Sequence, residues 1–272
     1  MKIWVNGRLS DNEEGLLSAF DHGFTVGDGV FETCKVVEGE AFALTRHLAR
    51  LQRSARGLAL PDPDEQLVRD GVNTLLAAEP DAGRLRITYT GGPGPLGSER
   101  GEAGTTLVLA VSTGGSWEPT TKVSVVPWIR NERSAVAGLK TTSYAENVVA
   151  LSAAHDAGAS EAIFANSRGE LCEGTGSNIF VVIDGELLTP ELGSGCLAGI
   201  TRELVVEWSG AREASLGIDA LASATEAFLT SSTRDVQPIH AIDDRVLRDT
   251  PGPVTMKARD TFTQQSSLSL DP

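Results

Sequence analysis

The sequence predicts an α+β protein with a small α/β region at the N-terminus and a larger, β-rich region behind it. Short β-rich runs flank two helical patterns in the first region, and a second set of β-rich runs begins at Lys122. Between them, residues 113–120 are rich in glycine, proline and hydroxyl side chains, which disfavour regular structure. We therefore expect a small α/β domain at residues 1–115, a linker at 116–120 and a large domain at 121–272.

The N-terminal region begins with a strand and contains two helices. Its predicted strands are residues 2–6, 31–37, 41–44, 84–90 and 105–112. The first predicted helix begins at Thr45, has Leu48 and Leu51 on its apolar face, and is ended by Gly57 and Pro61. The second predicted helix covers residues 63–78.

The C-terminal region is predicted to be richer in strands. Its predicted strands are residues 122–127, 161–165, 179–183 and 226–230, and its predicted helices are residues 144–157, 201–209 and 254–265. A hairpin turn is expected at Asn166-Ser167-Arg168-Gly169.

Composition and charge are typical of a soluble globular protein, with 40% hydrophobic and 22% charged residues. The net charge of −14 disfavours nucleic-acid binding, because it repels phosphate backbones. No apolar run approaches the roughly 20 residues that span a bilayer, and we expect no signal peptide. The scattered cysteines (Cys34, Cys172 and Cys196) and the histidine spacing predict a cytoplasmic protein without a metal site.

One formal motif is a decoy. Gly92-Pro93-Gly94-Pro95-Leu96-Gly97 matches GxGxxG and follows a predicted strand. Two prolines inside it, and a polar run where a helix should begin, remove the context that a dinucleotide site requires. The sequence has no GxxxxGK[ST] and no GxSxG, which disfavours P-loop and α/β-hydrolase chemistry.

Lys140 is a candidate nucleophile. Lysine is scarce in this chain, and Lys140 is flanked by small or hydroxylated residues, with no acid before Glu146. A lysine that becomes neutral in a pocket can form a Schiff base with a carbonyl compound. The alternative is a solvated surface amine, which is the usual state of a lysine.

Two segments carry candidate phosphate donors. Gly199-Ile200-Thr201-Arg202 precedes an apolar helical pattern, and the N–H groups of a helix N-terminus bind phosphate well. Ordinary N-capping by Thr201 is the alternative for that segment. The cluster Thr230-Ser231-Ser232-Thr233 ends a predicted strand and is either a second donor set or a polar turn.

Glu173 and Arg50 complete the set of candidate residues. Glu173 precedes a glycine-rich turn, where its carboxylate could pair with a protonated heteroaromatic nitrogen or simply be solvated. Arg50, beside the apolar face of the first helix, could fork onto a phosphate or lie exposed. A lysine, a carboxylate, an arginine, a helix N-terminus and hydroxyl donors together match the requirements of pyridoxal 5′-phosphate (PLP).

The chain also resembles class IV PLP enzymes of fold type IV. This group includes branched-chain aminotransferases, D-amino-acid aminotransferases, (R)-amine transaminases and 4-amino-4-deoxychorismate lyases. The resemblance is carried, in this order, by Phe20-Asp21-His22-Gly23, Gly27-Asp28-Gly29-Val30-Phe31-Glu32, His47-Leu48-Ala49-Arg50-Leu51, Gly138-Leu139-Lys140, Glu173-Gly174-Thr175-Gly176-Ser177-Asn178-Ile179-Phe180, Leu197-Ala198-Gly199-Ile200-Thr201-Arg202 and Thr230-Ser231-Ser232. It implies a small α/β domain, a larger β-barrel-like domain and a homodimer.

The resemblance also implies roles for single residues. Lys140 would form the Schiff base with PLP and shuttle a proton, and Glu173 would hold the pyridine nitrogen protonated. The other implied cofactor-binding residues are Arg50, Leu197, Gly199, Ile200, Thr201, Ser231 and Ser232. Several relatives carry a tyrosine five residues after the lysine, but that position is Ala145 here, with Tyr144 one residue earlier. Whether Tyr144 substitutes for it is open.

The expected reaction is a transamination that moves an amino group between a D-amino acid, or an (R)-amine, and a 2-keto acid. The alternative is a 4-amino-4-deoxychorismate lyase that releases pyruvate and 4-aminobenzoate, because the stretch from Pro127 to Lys140 looks more like the lyase group. The Arg-x-His pair with which D-amino-acid aminotransferases bind the substrate carboxylate is absent after Thr90. The candidate substrate-binding residues are Phe31, Arg100, Arg133 and Tyr144, with Arg130 as an alternative to Arg133.

Overall fold

The computed structural model describes residues 1–11, 16–248 and 250–272 and divides into two compact units. Unit 1 comprises Met1–Gly115, Leu139–Tyr144 and Leu270–Pro272, and unit 2 comprises Ser116–Gly138 and Ala145–Ser269. Two short segments that the sequence placed in the C-terminal domain therefore belong to unit 1. Residues 116–120, predicted as an interdomain linker, belong to unit 2.

The described residues of unit 1 form six strands and three helices. They are β1 (Lys2–Val5), β2 (Arg8–Asp11), α1 (His22–Thr25), β3 (Gly29–Val37), β4 (Glu40–Ala41), α2 (Leu44–Gly57), α3 (Glu65–Ala78), β5 (Arg84–Thr90) and β6 (Thr106–Ser112). The strands form one antiparallel sheet in the order β2-β1-β6-β5-β3-β4.

The unit-1 sheet has one apolar and one polar face, because successive strand residues point to opposite sides. On β5, Leu85, Ile87 and Tyr89 enter the hydrophobic core shared with α2 and α3. Each such fully buried side chain contributes about 1.5–3 kcal/mol. Arg86 points to the opposite face, and the β3–β5 register places Phe31 on that face too.

Residues 140–142 belong to unit 1 because they pair with the start of β3. The Phe31 N–H donates to the Lys140 carbonyl (3.0 Å), and the Thr142 N–H donates to the Gly29 carbonyl (2.8 Å). On α2, the Ser54 hydroxyl accepts the Lys140 N–H at 3.2 Å. These bonds satisfy backbone groups along the edge of β3. Sequence periodicity could not reveal this pairing.

Helix α2 has no side-chain cap of its own, and residues 270–272 complete its N-terminus. Its N-cap, Ala43, is in the left-handed region at φ 54°. The Asp271 carboxylate accepts the Thr45 N–H (2.9 Å) and the Thr45 hydroxyl (2.5 Å), and the Ala43 N–H donates to the Leu270 carbonyl (2.6 Å). A carboxylate at this end of a helix satisfies exposed N–H groups and complements the helix dipole.

Unit 2 contains nine strands, four α-helices and one 3₁₀ turn in its described residues. They are β7 (Thr121–Arg130), α4 (Ala145–Asp156), β8 (Glu161–Asn166), β9 (Leu171–Gly174), β10 (Asn178–Ile183), β11 (Glu186–Pro190), the 3₁₀ turn Leu192–Ser194, α5 (Ile200–Ser209), β12 (Arg212–Ala214), α6 (Ala220–Ser223), β13 (Glu226–Ser231), β14 (Asp235–Ile242), β15 (Arg245–Val246) and α7 (Pro253–Leu268).

The unit-2 strands form one mixed sheet in the order β12-β11-β10-β13-β14-β7-β8-β9, with β15 paired to β14. The pairs β7–β8, β7–β14 and β11–β12 are parallel and the others antiparallel. The core is rich in β-branched residues such as Ile163, Ile179 and Val181, all of which are fully buried. Trp208 of α5 contacts Phe262 of α7 with ring centroids 5.5 Å apart.

Most predicted elements are present, and the departures have local causes. Strand β14 was missed because it contains Pro238 and the buried polar residue Gln237, which break an apolar pattern. In the predicted linker, Trp117 stacks on the Arg234 guanidinium at 3.6 Å, and this contact ties residues 116–120 to unit 2.

Two negative findings apply to the residues that the structure describes. None of their helices is long and apolar enough to cross a membrane. Nor do they include a cluster of three or more metal-ligating side chains suited to a metal ion.

Candidate active site

In unit 1, the Lys140 amine lies over an aromatic ring. Its Nζ is 4.4 Å from the centroid of the Phe31 ring, and the Lys140 side chain is half-buried. Tyr144 meets the same ring edge-on, with centroids 5.3 Å apart and an interplanar angle of 76°. The structure thus brings together three of the residues that the sequence singled out.

Arg86 is a further cation at the Phe31 ring, and sequence reasoning missed it. Its guanidinium carbon lies 3.3 Å from the ring centroid. Burial lowers the pKa of the Arg86 guanidinium to about 10, and electrostatic interactions with Tyr144 and Glu32 oppose that shift. The group is still cationic at neutral pH. Within the described residues its guanidinium has no hydrogen bond and no ion pair, which is unusual for a largely buried arginine.

Arg50 lies on the helix side of the sheet, in a buried cluster with Glu32 and His47. Its Nε donates to Glu32 Oε1 at 2.8 Å and its Nη2 to Oε2 at 2.6 Å. His47 Nδ1 contacts the same Oε2 at 2.6 Å. Because an ionised carboxylate only accepts hydrogen bonds, the proton of the His47 ring is on Nδ1. Arg50 is therefore a buried, paired residue and not the exposed helix arginine that the sequence also allowed.

Two of the cluster's groups titrate abnormally. Burial lowers the pKa of His47, although the hydrogen bond to Glu32 acts in the opposite direction. Burial alone would raise the pKa of Glu32, but Arg50 and His47 outweigh it and hold that pKa far below its usual range. At neutral pH the cluster contains a neutral imidazole, a carboxylate and a guanidinium.

The cluster makes stability depend on pH. Both folded-state pKa values lie below the unfolded values of 6.5 for His47 and 4.5 for Glu32, so the unfolded chain binds protons first on acidification. Stability is therefore full above pH 6.5 and falls as pH decreases, by up to about 1.4 kcal/mol per pH unit for each proton. We expect the thermal midpoint, followed by circular dichroism, to drop between pH 6.5 and 5, and His47→Gln to flatten that part of the curve. An unchanged slope in His47→Gln would contradict the assignment.

Arg100 and Arg133, the two arginines that the sequence proposed for substrate binding, lie in different surroundings. Arg100 donates to both Asp28 oxygens (2.6 and 2.7 Å) and to the carbonyls of Ala59 and Leu58 (both 2.7 Å). It thereby fastens its glycine-rich loop to the C-terminal end of α2. Arg133 is exposed in the loop after β7. Within the described residues, the cations at the Phe31 ring are Lys140 and Arg86, not Arg100 or Arg133.

In unit 2, the Glu173 carboxylate accepts a backbone hydrogen bond and forms an ion pair. Its Oε2 accepts the Leu197 N–H at 2.9 Å, and its Oε1 lies 3.4 Å from Arg130 Nε. Arg130 also donates to Glu146 (2.8 Å) and Asn147 (3.0 Å). A carboxylate flanked by a guanidinium and an N–H group is favoured in its ionised form. The sequence analysis considered Arg130 as a substrate-binding residue. In the structure it is an ion-pair partner of Glu173.

Helix α5 presents an open N-terminus. Its N-cap is Gly199, not Thr201, and no side chain caps it. Ile200 and Thr201 form the first turn and are both buried, and the Thr201 hydroxyl makes no hydrogen bond within the described part of the chain. Uncapped N–H groups, a hydroxyl and the positive end of a helix dipole fit a phosphate. This geometry favours the phosphate interpretation over N-capping by Thr201.

Gly199 allows the neighbouring Asn178 to approach closely. A Cβ on Gly199 would lie 2.0 Å from Asn178 Oδ1, while Asn178 Nδ2 donates to the Leu197 carbonyl at 2.9 Å. Asn178 thus orients the half-buried Leu197 segment, a role that sequence reasoning did not assign. Its position in the Glu173–Phe180 motif was the available signal.

Ser231 and Ser232 lie at the end of β13 and are half-buried. The Ser231 hydroxyl accepts the Arg234 N–H at 3.1 Å, as in a polar turn. The preceding Thr230 hydroxyl is buried and unpartnered in the described structure. The structure is thus consistent with a hydroxyl cluster that retains donor capacity.

The local features described above suit PLP, and comparison with known proteins leads to the same cofactor. Residues 29–242 match the family model for amino-transferase class IV. The chain belongs to this family. It is therefore a PLP-dependent enzyme, and fold type IV is its fold.

Three similar proteins illustrate the range of the family. A putative branched-chain-amino-acid aminotransferase of Methanocaldococcus jannaschii is 31% identical, over 96% of this chain and 95% of the relative. A D-alanine aminotransferase of Bacillus licheniformis is 31% identical, over 99% and 98%. The crystal structure of 4-amino-4-deoxychorismate lyase from Pseudomonas aeruginosa is 30% identical and superimposes with a TM-score of 0.85 over 99% of this chain and 100% of that one.

Proposed function

We propose that this class IV enzyme is a transaminase that moves an amino group between a D-amino acid, or an (R)-amine, and a 2-keto acid. The similarity to a D-alanine aminotransferase over almost the whole chain supports this reaction. The observation that carries the proposal is Arg86, a largely buried cation at the same ring as the Lys140 amine. An unpaired guanidinium in that position suits a carboxylate, which amino acids and keto acids both carry.

The chain's own residues divide the work of such a reaction. PLP, when bound, withdraws electrons from the bond that breaks at the substrate's reacting carbon. Lys140 Nζ would hold the cofactor covalently and move the proton at the reacting carbon. Glu173 would keep the pyridine nitrogen protonated, and Leu197 would lie against the ring.

The phosphate is assigned to the remaining cofactor residues. Arg50, Gly199, Ile200 and Thr201 would bind it, together with the hydroxyls of Ser231 and Ser232. The open N-terminus of α5 supports this assignment, because it offers N–H donors that no side chain caps. Phe31 and Tyr144 would shape the substrate side near Lys140, since they pack edge-on. Arg100 and Arg133 remain further candidates for a substrate carboxylate.

Arg86→Met is expected to weaken turnover of carboxylate substrates about 100-fold in kcat/KM, because a charge-assisted pair is worth about 1.5–3 kcal/mol. Stopped-flow measurement of the amine half-reaction distinguishes this from a folding defect. The D-alanine half-reaction should slow, whereas that of (R)-1-phenylethylamine, which has no carboxylate, should change less than threefold. Arg84→Met, two residues earlier on the same strand face, is the control. Equal loss with both donors would contradict the assignment.

A second candidate is 4-amino-4-deoxychorismate lyase, favoured by the TM-score of 0.85 and 30% identity to the Pseudomonas enzyme. Incubation with D-alanine and 2-oxoglutarate, with L-leucine and 2-oxoglutarate, and with aminodeoxychorismate separates the possibilities. The transaminase proposal predicts glutamate from the D-alanine reaction. 4-Aminobenzoate without any glutamate would overturn it in favour of the lyase, and glutamate from L-leucine alone would favour a branched-chain enzyme.

We further propose a homodimer, supported by an exposed apolar patch in unit 1. Phe20, Phe24 and Val26 are 55%, 80% and 46% exposed within seven positions, and such patches mark protein interfaces. Sedimentation velocity should show a dimer that Phe24→Asp converts to monomer. Val246→Asp, at an exposed side chain on β15 of unit 2 (68%), should leave it intact. A monomer in the unmodified protein would refute the proposal.

A cytoplasmic setting is also proposed, because all three cysteines are buried free thiols.

A further inference from the structure

Glu32 is a fully buried carboxylate to which the proposed reaction gives no part. Its exposure is 0%, and it lies on β3 among the apolar residues Val30 and Cys34. Both of its oxygens are used by Arg50, and one also by His47. A charge in this place needs a reason, because removing a carboxylate from water is costly.

Stability alone is a poor reason. A buried ion pair is often no more stabilising than apolar side chains of similar volume, since desolvation offsets the attraction between the charges. Unit 1 has an extensive apolar core around this position. The pair does, however, supply a fixed direction that apolar side chains would not.

The geometry fixes the guanidinium in one plane. Arg50 gives Nε and Nη2 to the two oxygens of one carboxylate, which is the side-on, bidentate arrangement. His47, three residues earlier on the same face of α2, holds Oε2 from a second direction. With both oxygens held, the carboxylate cannot rotate, and the Nη1 edge of Arg50 therefore has a defined orientation.

We propose that Glu32 is a positioning residue that orients Arg50 toward the phosphate of the cofactor. This inference rests on the proposed function, which assigns the phosphate to Arg50. Glu32 touches neither cofactor nor substrate in this scheme. Its effect reaches the phosphate through Arg50 and is therefore confined to phosphate recognition.

The test compares the dissociation constants of PLP and of pyridoxal, which lacks the phosphate, measured by visible absorbance on the apoenzyme. Arg50→Met should weaken PLP about 100-fold and pyridoxal less than threefold. Glu32→Gln should weaken PLP about tenfold and leave pyridoxal within threefold. The double variant Glu32→Gln/Arg50→Met should match Arg50→Met, because Glu32 acts only through Arg50. A merely structural role would weaken both ligands alike.

Controls keep the two proposals apart. Glu226→Gln removes another buried carboxylate, one that accepts the N–H groups of Val254 and Thr255 at the start of α7, and should leave the PLP-to-pyridoxal ratio unchanged. If Arg50→Met does not alter the ratio, the phosphate role of Arg50 is wrong. If Arg50→Met alters it and Glu32→Gln does not, the role of Glu32 is wrong.

A folding failure of Glu32→Gln does not end the test. Glu32→Asp keeps the charge but withdraws the carboxylate by one methylene, and it should lower the PLP-to-pyridoxal affinity ratio at least threefold. Glu32→Met/Arg50→Met removes both charges and should reproduce the ratio of Arg50→Met. A normal ratio in Glu32→Asp together with a normal thermal midpoint would overturn the inference.

Discussion

Lys140→Ala is expected to abolish turnover, with a loss in kcat of roughly 10⁴-fold or more, because the variant has neither the amine that holds the cofactor nor the base that moves the proton. The measurement pairs steady-state kinetics with borohydride reduction of the purified enzyme and peptide mass spectrometry. The unmodified protein should carry the reduced cofactor on the peptide containing Lys140.

Lys122→Ala is a matched control, because the Lys122 amine only donates to the Ala157 carbonyl at 2.9 Å. It should keep full activity and full labelling at Lys140. Labelling of a different lysine in the unmodified protein, or activity in Lys140→Ala above one-tenth of normal, would show that the nucleophile was misassigned.

Glu173→Gln is expected to lower kcat by about 10²- to 10³-fold, equivalent to about 2.7–4 kcal/mol, while KM changes little. The neutral amide cannot hold a proton on the pyridine nitrogen, so the cofactor loses much of its power to accept electrons. In the variant, the amide oxygen of the new side chain can still accept the Leu197 N–H that Glu173 accepts in the unmodified protein. Normal folding is therefore expected.

Glu170→Gln provides the comparison three residues earlier. Hydrogen bonds from Arg168, followed by Asn166 and Ser215, outweigh the desolvation of Glu170 and lower its pKa to about 2. Its carboxylate is thus also ionised and paired, but in a different set of contacts. The kcat of Glu170→Gln should stay within twofold of normal. A Glu173→Gln enzyme that retains more than a third of normal kcat would contradict the role of Glu173.

The local geometry of the motif segments was predictable from the sequence, because it depends on neighbouring residues. Glu173 and the segment before α5 stand in short motifs, and their geometry depends on the turns that those motifs form. The open N-terminus at Gly199 follows from a glycine directly before an apolar helix. Periodicity likewise predicted α2, whose apolar face is Leu48 and Leu51.

Long-range partners were not predictable, because nothing local specifies them. Arg50 was placed on the correct helix face, but its partner Glu32 is 18 residues away on β3. Arg100 was proposed for a substrate, whereas its carboxylate partner Asp28 is 72 residues away. Arg86 carried no local signal, because it continues the regular polar alternation of β5 and is indistinguishable there from a solvent-facing residue.

The composition of unit 1 from three separate stretches has a consequence for synthesis. Its sheet edge beside β3 requires Leu139–Tyr144, and the N-terminus of α2 requires Asp271. These stretches flank the second part of unit 2, which must emerge from the ribosome before Asp271 does. The first 115 residues therefore emerge early but cannot complete their own fold, and a nascent chain halted at residue 200 should expose α2 to proteolysis until the remaining residues are made.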